Sequence, residues 1–153
     1  MESNLYNIAK KKAMALCAGR EICPADIKQK LLLWGVENKD IQKLIDYLTK
    51  EKFIDEKRFA FAFVKDKFTY NRWGKIKITS ALRKKNIPDM MINEALDSID
   101  DDIYLGVLKN IIATHRRTIK SKNRYDLKGK LLRFGMSKGF ESHLLYDLLN
   151  EDQ

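Results

Sequence analysis

The stretch ITSALRKKNI, residues 78–87, decides the fold because its spacing of apolar residues occurs three times in the chain. The same spacing, followed by a Gly or Asn, is found in IKQKLLLWGV (27–36) and in LKGKLLRFGM (127–136). The offsets from Ile27 to Ile78 and from Ile78 to Leu127 are 51 and 49 residues, close to the repeat lengths of helical arrays. The sequence therefore predicts three copies of one helical unit.

Each copy is predicted to contain three helices. Apolar residues recur at the helical period, and no stretch alternates apolar and polar residues for long enough to demand a strand. We therefore predict an all-α fold of three tandem three-helix repeats, helix-turn-helix-like units in an elongated, curved array, at 1–54, 55–100 and 101–153. First helices are predicted near 5–18, 56–71 and 103–118, second helices near 24–34, 75–85 and 124–134, and third helices near 38–50, 88–99 and 137–149. A left-handed turn is predicted to end each second helix, at Gly35, Asn86 and Gly135.

The net charge of the chain favours a polyanionic partner. Lys and Arg number 30 against 21 Asp and Glu, which gives a net charge of +9. Nucleic acid and acidic protein surfaces are the partners that this charge suits best. A membrane is disfavoured because no apolar run approaches the roughly 18 residues that a span needs, and no signal-peptide core follows the basic residues 10–12. We expect a cytoplasmic, monomeric protein.

The residue types that catalysis or metal binding requires are sparse. His115 and His143 are the only histidines, and they lie in different repeats. Cys17 and Cys23 match no common zinc spacing and are interpreted as packing residues. The acidic run 100–102 lacks the interleaved ligands of a calcium loop, and it is predicted to cap the first helix of the third repeat. We therefore expect no enzymatic activity, no cofactor and no metal.

Charge is distributed unevenly within the later repeats. In the second repeat, the third helix and the Asp100 that follows it carry four acidic residues and no Lys or Arg, whereas the second helix carries five basic residues and no acid. In a DNA-binding helix-turn-helix the later helix enters the major groove, between walls of phosphate. Acidic third helices therefore disfavour sequence-specific reading of DNA, and the basic second helices become the expected contact surface.

The candidate binding residues are basic side chains on or beside the second helices of the last two repeats. They are Arg72, Lys75, Lys77, Arg83, Lys84, Lys85, Arg117, Lys128, Lys130 and Arg133. Solvated helix surface is the alternative interpretation of any one of these groups. Phe68, Tyr70 and Trp73 lie beside them and could stack on bases, but packing in the core is the favoured interpretation of the three aromatic side chains.

The middle repeat resembles the signature region of the RecX family. The resemblance is carried by DEKRFAFAFV (55–64), GKIKI (74–78) and LRKKNI (82–87). Asn86 stands where the family usually has Gly, and Cys23 stands where it often has Ser. The first repeat also fits at Arg20, and the third fits at Arg133 and Gly135, so the resemblance covers essentially the whole chain.

This resemblance implies a regulator of the RecA recombinase. Proteins of the RecX family are three-repeat helical modules that lie in the groove of RecA filaments on single-stranded DNA. The function implied is inhibition of filament assembly, ATP hydrolysis and strand exchange in recombination and the SOS response. The implied partners are the RecA filament and DNA bound without sequence specificity. Two alternatives stay open, a helix-turn-helix transcriptional regulator and an inert helical scaffold for another protein.

Overall fold

The computed structural model describes residues 4–151. Within this range the chain forms nine α-helices and no strand, which confirms the all-α prediction. None of these helices is both long and apolar enough to cross a membrane. The helices follow one another in three groups of three, with the bounds α1 Asn4–Gly19, α2 Pro24–Leu33, α3 Asn38–Lys50, α4 Glu56–Thr69, α5 Lys75–Lys84, α6 Asp89–Asp97, α7 Asp101–Arg116, α8 Arg124–Ser137 and α9 Ser142–Glu151.

Side-chain caps begin two helices of the last group. The Asp100 carboxylate accepts a 3.0 Å hydrogen bond from the Ile103 N–H at the start of α7. This contact confirms the capping role predicted for the acidic run, because a first-turn N–H has no partner within the helix. Asn123 caps α8 in the same manner, and its Oδ1 lies 2.8 Å from the nitrogen of Asp126.

Two of the three predicted turns are present. Gly35 has a φ of 85° and Asn86 a φ of 61°, both in the left-handed region. The residue after each turn donates its N–H to the carbonyl five residues earlier, at 3.0 Å and 3.1 Å. These hydrogen bonds satisfy carbonyls that the helix end leaves open, so α2 and α5 end where the sequence predicted.

The prediction was wrong for Gly135. Helix α8 continues through this residue to Ser137, and the left-handed turn falls at Gly139, with a φ of 94°. The Phe140 N–H then donates to the Gly135 carbonyl at 3.1 Å, as in the other two turns. The error is four residues, about one helical turn, so the same face of α8 is apolar in either register. A glycine also stands at both positions.

The same correction moves the last helix. Helix α9 begins at Ser142, five residues later than predicted, and Leu145 and Leu149 fill its core positions with 0% and 4% exposure. Glu141, which lies inside the predicted third helix 137–149, instead precedes α9. Gly135 has a different role, because a Cβ there would lie 2.3 Å from Leu145 Cδ2. It permits the close packing of α8 against α9.

The chain divides into two compact units. The first comprises Met1–Ala62 with Leu82–Ile92, and the second comprises Phe63–Ala81 with Asn93–Gln153. The division passes through α4, α5 and α6, so all three helices of the middle group are shared between the units. The predicted domain limits at 54 and 100 rest on the sequence repeat and stay a prediction.

The core of the first unit is mainly aliphatic, with Tyr6 of α1 among its buried side chains. Leu31, Leu44 and Leu48 are fully buried there, and small side chains of α1 pack against them. Cys23 is buried and Cys17 is partly buried, and neither forms a disulfide. Burial is the main cause that raises the pKa of each thiol, so the reactive thiolate is disfavoured at neutral pH.

The core of the second unit contains an aromatic group around Tyr104. The Tyr104 ring stacks on Phe68, with 5.8 Å between ring centroids, and lies tilted against Phe140, at 5.2 Å. Leu108 and Leu131 are also buried in this unit. The aromatic group lies beside the start of α5. It therefore helps to position the basic residues that are described in the next section.

Candidate nucleic-acid interface

The first part of the candidate interface is the turn that follows α4. The Trp73 N–H donates to the Lys67 carbonyl at 3.1 Å, and Arg72 has a left-handed backbone, with a φ of 55°. A bulky residue in this region costs about 1–2 kcal/mol relative to an extended one. The guanidinium of Arg72 is held by a hydrogen bond from Nη1 to Asn110 Oδ1. The turn therefore fixes both the backbone and the side chain of a predicted binding residue.

The start of α5 is joined to the end of α8. The Gly74 N–H donates to the Lys138 carbonyl at 2.7 Å, and the Ile76 N–H donates to the Gly139 carbonyl at 3.0 Å. Backbone N–H groups at the start of α5, which have no partner within their own helix, thus bond to carbonyl groups that are left open at the end of α8. The two glycines make this approach possible, since a Cβ on Gly74 would lie 2.4 Å from the Gly139 carbonyl, and one on Gly139 would lie 2.3 Å from Lys77 Cβ.

Tyr104 stabilises the same junction between α5 and α8. Its hydroxyl oxygen accepts a 3.0 Å hydrogen bond from the Lys75 N–H, and its hydroxyl proton is donated to Glu141 Oε1. Burial, followed by the hydrogen bond to Glu141, raises the pKa of Tyr104 well above its usual range. The hydroxyl stays protonated at neutral pH, so it can donate and accept at once. The Lys75 ammonium lies 4.8 Å from the centre of the Tyr104 ring.

Four cationic side chains gather near Trp73 at this junction. The ammonium groups of Lys67 and Lys77 lie 5.1 Å and 4.7 Å from the centre of the Trp73 ring, within cation–π range. The Lys138 ammonium donates to the Asn71 carbonyl at 2.8 Å. We define the Trp73 cluster by five residues: Lys67, Arg72, Trp73, Lys77 and Lys138.

The Trp73 cluster carries uncompensated positive charge. Within the part of the chain that the structure describes, none of its four cations forms an ion pair with a carboxylate. Burial lowers the pKa of Lys138, and the positive charges of Lys77 and Arg72 lower it further. An anion placed among these groups would relieve their mutual repulsion, so the cluster is arranged to accept one.

Other predicted residues lie apart from the Trp73 cluster along the chain. Arg83, Lys84 and Lys85 belong to the first compact unit. Arg83 pairs with Asp89, with 3.0 Å between Nε and Oδ1, and Lys85 pairs with Asp26, with 2.9 Å between Nζ and Oδ2. Each of these two cations therefore has a carboxylate beside it that would repel a phosphate.

The remaining predicted residues belong to α8 and to the end of α7. Arg117 follows α7, and Arg133 is exposed on α8. Lys130 pairs with Asp126 at 3.2 Å and donates to the Lys120 carbonyl at 2.6 Å. Lys128 lines a cleft of about 540 Å³ together with Arg116, Arg124, Tyr125, Leu127, Leu131 and Leu149. Of the ten predicted residues, the structure brings Arg72 and Lys77 together in the Trp73 cluster, with Lys75 beside them.

A second cleft, of about 490 Å³, includes two cations of the Trp73 cluster. It is lined by Tyr70, Asn71, Arg72, Ile111, Thr114, His115, Thr118, Phe134 and Lys138. Within it, the His115 ring stacks face to face on Phe134, with 3.7 Å between centroids and 5° between planes. The core interpretation is confirmed for Phe68, which is 8% exposed, but it was wrong for Tyr70, which is 80% exposed.

Sequence reasoning did not select Lys138 or Lys67 as binding residues. Lys138 was assigned to a third helix because the turn was placed at Gly135 instead of Gly139. No local signal separates the two turns, because Gly135 and Gly139 are each followed by a large apolar residue, Met136 and Phe140. Lys67 belongs to the basic stretch 65–73, which the sequence places beside the candidate surface, and the structure brings its ammonium group to Trp73.

The fold and the Trp73 cluster define an all-helical protein of consecutive three-helix units with a cationic surface. Residues 55–96 match the family model described as RecX, second three-helix domain. Regulatory protein RecX of Clostridium tetani is 33% identical over 127 residues, which cover 82% of this chain and 58% of that protein. Its counterpart in Clostridium acetobutylicum is 26% identical over 155 residues, which cover 99% of this chain and 72% of that protein.

Solved structures agree with these relatives. A crystal structure of regulatory protein RecX superposes with a TM-score of 0.87 at 18% identity, covering 97% of this chain and 74% of that one. The RecX structure from Lactobacillus salivarius superposes with a TM-score of 0.82 at 18% identity, covering 97% and 96%. The chain is therefore similar in sequence to RecX regulatory proteins and shares their fold. It spans less than two thirds of the length of its Clostridium tetani relative.

Proposed function

We propose that this protein binds the RecA filament on single-stranded DNA and inhibits filament assembly, ATP hydrolysis and strand exchange. Similarity to RecX regulatory proteins supports this proposal, and the observation that carries it is the Trp73 cluster. Its four cations have no carboxylate partners among the described residues, and two of them, Lys67 and Lys77, lie over the indole ring. A surface of this kind suits a phosphate backbone or an acidic protein groove, because binding releases counterions and relieves repulsion.

The predicted residues contribute unequally in this proposal. Arg72, Lys75 and Lys77, with Lys67 and Lys138, form the main contact. Lys128, Arg133 and Arg117 provide a second contact on α8 and beside it, to which Lys130 contributes less because Asp126 accompanies it. Arg83, Lys84 and Lys85 contribute less, because Asp89 and Asp26 accompany the first and the last of them.

The alternative of a sequence-specific transcriptional regulator is less well supported. Helix α6, which would be the reading helix of the middle group, contains Asp89, Glu94 and Asp97 and no Lys or Arg. Carboxylates on a helix in the major groove would face the phosphates of both strands. The charge of α6 therefore weighs against insertion into duplex DNA.

The proposal is tested by measuring RecA ATP turnover on single-stranded DNA. We expect added protein to reduce turnover and to shorten filaments at near-stoichiometric amounts in modest salt. No effect on either quantity under these conditions would refute the proposal. Equal affinity for duplexes of unrelated sequence would count against the transcriptional regulator, since specific readers discriminate by about 10³-fold or more.

A charge reversal identifies the contact surface. We expect Lys77→Glu to weaken inhibition of RecA at least about tenfold, since it replaces attraction by repulsion within the Trp73 cluster. Lys28→Glu is the matched control, because Lys28 is exposed on α2 and the change in net charge is the same. An inert scaffold predicts that neither variant differs from the parent protein, and equal losses in both would refute a localised contact.

A further inference from the structure

The cleft that contains Tyr70 combines flat aromatic surface with positive charge. Tyr70 and Arg72 line it from the end of α4, His115 lines it from α7, and Phe134 and Lys138 line it from the end of α8. Its volume of about 490 Å³ lies within the range of small-ligand sites, about 300–1,000 Å³. The cleft therefore has room for one nucleotide.

Aromatic rings in this cleft are available for stacking and are not all packed into the core. Tyr70 is 80% exposed, although a tyrosine beside a helix end is expected to pack. His115 lies flat on Phe134, so one face of the imidazole is covered and its position is fixed. An exposed phenol and a supported imidazole are the kind of platforms on which nucleobases stack.

The cations in the cleft are also fixed in place. The Arg72 guanidinium is bonded to Asn110, the Lys138 ammonium is bonded to the Asn71 carbonyl, and Lys77 lies close enough to affect Lys138 electrostatically. Such preorganised cations lose little side-chain entropy when a phosphate binds. An acidic peptide would use the same charges, but it would leave the aromatic faces without a flat partner.

We propose that this cleft binds one nucleotide of a single strand, with the base stacked on Tyr70 and the phosphate held by Arg72 and Lys138. The inference deepens the proposed function, because it names the place where the protein contacts DNA. A free nucleoside phosphate shares the chemistry of this site. A strand is the proposed occupant because Lys67 and Lys77 lie over the ring of Trp73, the residue after Arg72, and Lys75 lies over Tyr104, so further positive charge is available to neighbouring phosphates.

The test measures binding of a labelled 15-residue oligothymidylate and of an abasic oligomer of equal length by fluorescence anisotropy, without RecA. We expect Tyr70→Ala to weaken binding of oligothymidylate about tenfold, the loss of one stacked base, and to leave binding of the abasic oligomer unchanged. Tyr70→Phe should retain the parent affinity. Tyr146→Ala, a change at another exposed tyrosine, should alter neither oligomer.

Lys138→Gln should weaken both oligomers, because it removes a phosphate contact and not a stacking surface. Equal loss of both oligomers in Tyr70→Ala, or loss of neither, would overturn the base-stacking assignment. Competition by thymidine monophosphate at concentrations as low as those of the oligomer would overturn the strand assignment in favour of a free nucleotide. These outcomes do not depend on the RecA assay. The experiment can therefore refute nucleotide binding in the cleft without refuting the regulation of RecA, and the reverse also holds.

Discussion

Gly139 is the residue on which the geometry of the Trp73 cluster depends most. Its φ of 94° is one that side-chain-bearing residues rarely adopt. A Cβ there would also lie 2.3 Å from Lys77 Cβ and 2.7 Å from the Lys77 nitrogen. Both the turn after α8 and the seating of α5 on it therefore require glycine at this position.

We expect Gly139→Ala to lower the free energy of unfolding by about 2–4 kcal/mol, from backbone strain and from overpacking together. The measurement is a urea titration followed by circular dichroism. Gly106→Ala is the matched control, since Gly106 lies within α7 and a Cβ there meets nothing within 4 Å. The control should gain up to about 1 kcal/mol from helix propensity. A midpoint for Gly139→Ala equal to that of the parent would contradict the argument.

Single residues were predictable where their role is local. The cap at Asp100 depends on a carboxylate three residues before an N–H, and both are visible in the sequence. Lys138 and Tyr70 could not be predicted in this way. The first gains its role from the return of α8 to α5, and the second from a turn at Arg72 that leaves its ring in solvent.

At the scale of elements, the junction of α5 with α8 depends on a buried hydroxyl. Tyr104 on α7 bonds both the first N–H of α5 and the carboxylate of Glu141 before α9. One side chain thus connects the starts of two helices to the middle of the aromatic group. Removal of the hydroxyl would leave a part-buried N–H without its partner.

We expect Tyr104→Phe to lower the free energy of unfolding at neutral pH by about 1–2 kcal/mol, the usual range for such a loss. The ring contacts with Phe68 and Phe140 should remain. Tyr125→Phe is the control, because the Tyr125 ring is 88% exposed and its change should leave stability unaltered. Urea midpoints of the two variants at pH 7 provide the measurement, and equal midpoints would refute the role of the hydroxyl.

The contribution of Tyr104 should also depend on pH. Its pKa is raised in the folded state, whereas an unfolded tyrosine ionises near pH 10. The stabilisation is therefore fully present below about pH 10 and is lost as the pH rises beyond it, because the unfolded state then releases a proton that the folded state retains. The difference in the free energy of unfolding between the parent protein and Tyr104→Phe should decrease between about pH 9 and pH 11. A constant gap would contradict this assignment.

The helices themselves were predictable because their apolar periodicity is local, whereas the register of the third repeat was not. Moving the pattern by four residues keeps the same face of α8 toward the core, and glycines at 135 and 139 fit a turn in either register. Only packing distinguishes the two: Gly135 is pressed against Leu145, and Gly139 bears the left-handed backbone. Which cations meet at Trp73 follows from that register, so the cluster was only partly predictable.

At the scale of the whole molecule, the net charge of +9 does not identify the binding surface. Each predicted domain has the same excess of basic residues, ten against seven acidic ones. What differs is the pairing, since Arg83 and Lys85 have carboxylate partners and the cations of the Trp73 cluster have none among the described residues. A measurement that counts phosphate contacts can therefore separate local arrangement from total charge.

The dependence of single-strand affinity on salt provides that count, because each phosphate contact contributes about −0.7 to the slope of log K against log salt. Contact through the four cations of the Trp73 cluster together with Lys75 predicts a slope of about −3.5. The double variant Lys77→Gln with Lys138→Gln should reduce its magnitude by about 1.4. The triple variant Arg83→Gln, Lys84→Gln and Lys85→Gln should leave it nearly unchanged although it removes more charge. Because a net-charge effect would rank the two variants in the opposite order, a larger change in the triple variant would refute the assignment of the strand to the Trp73 cluster.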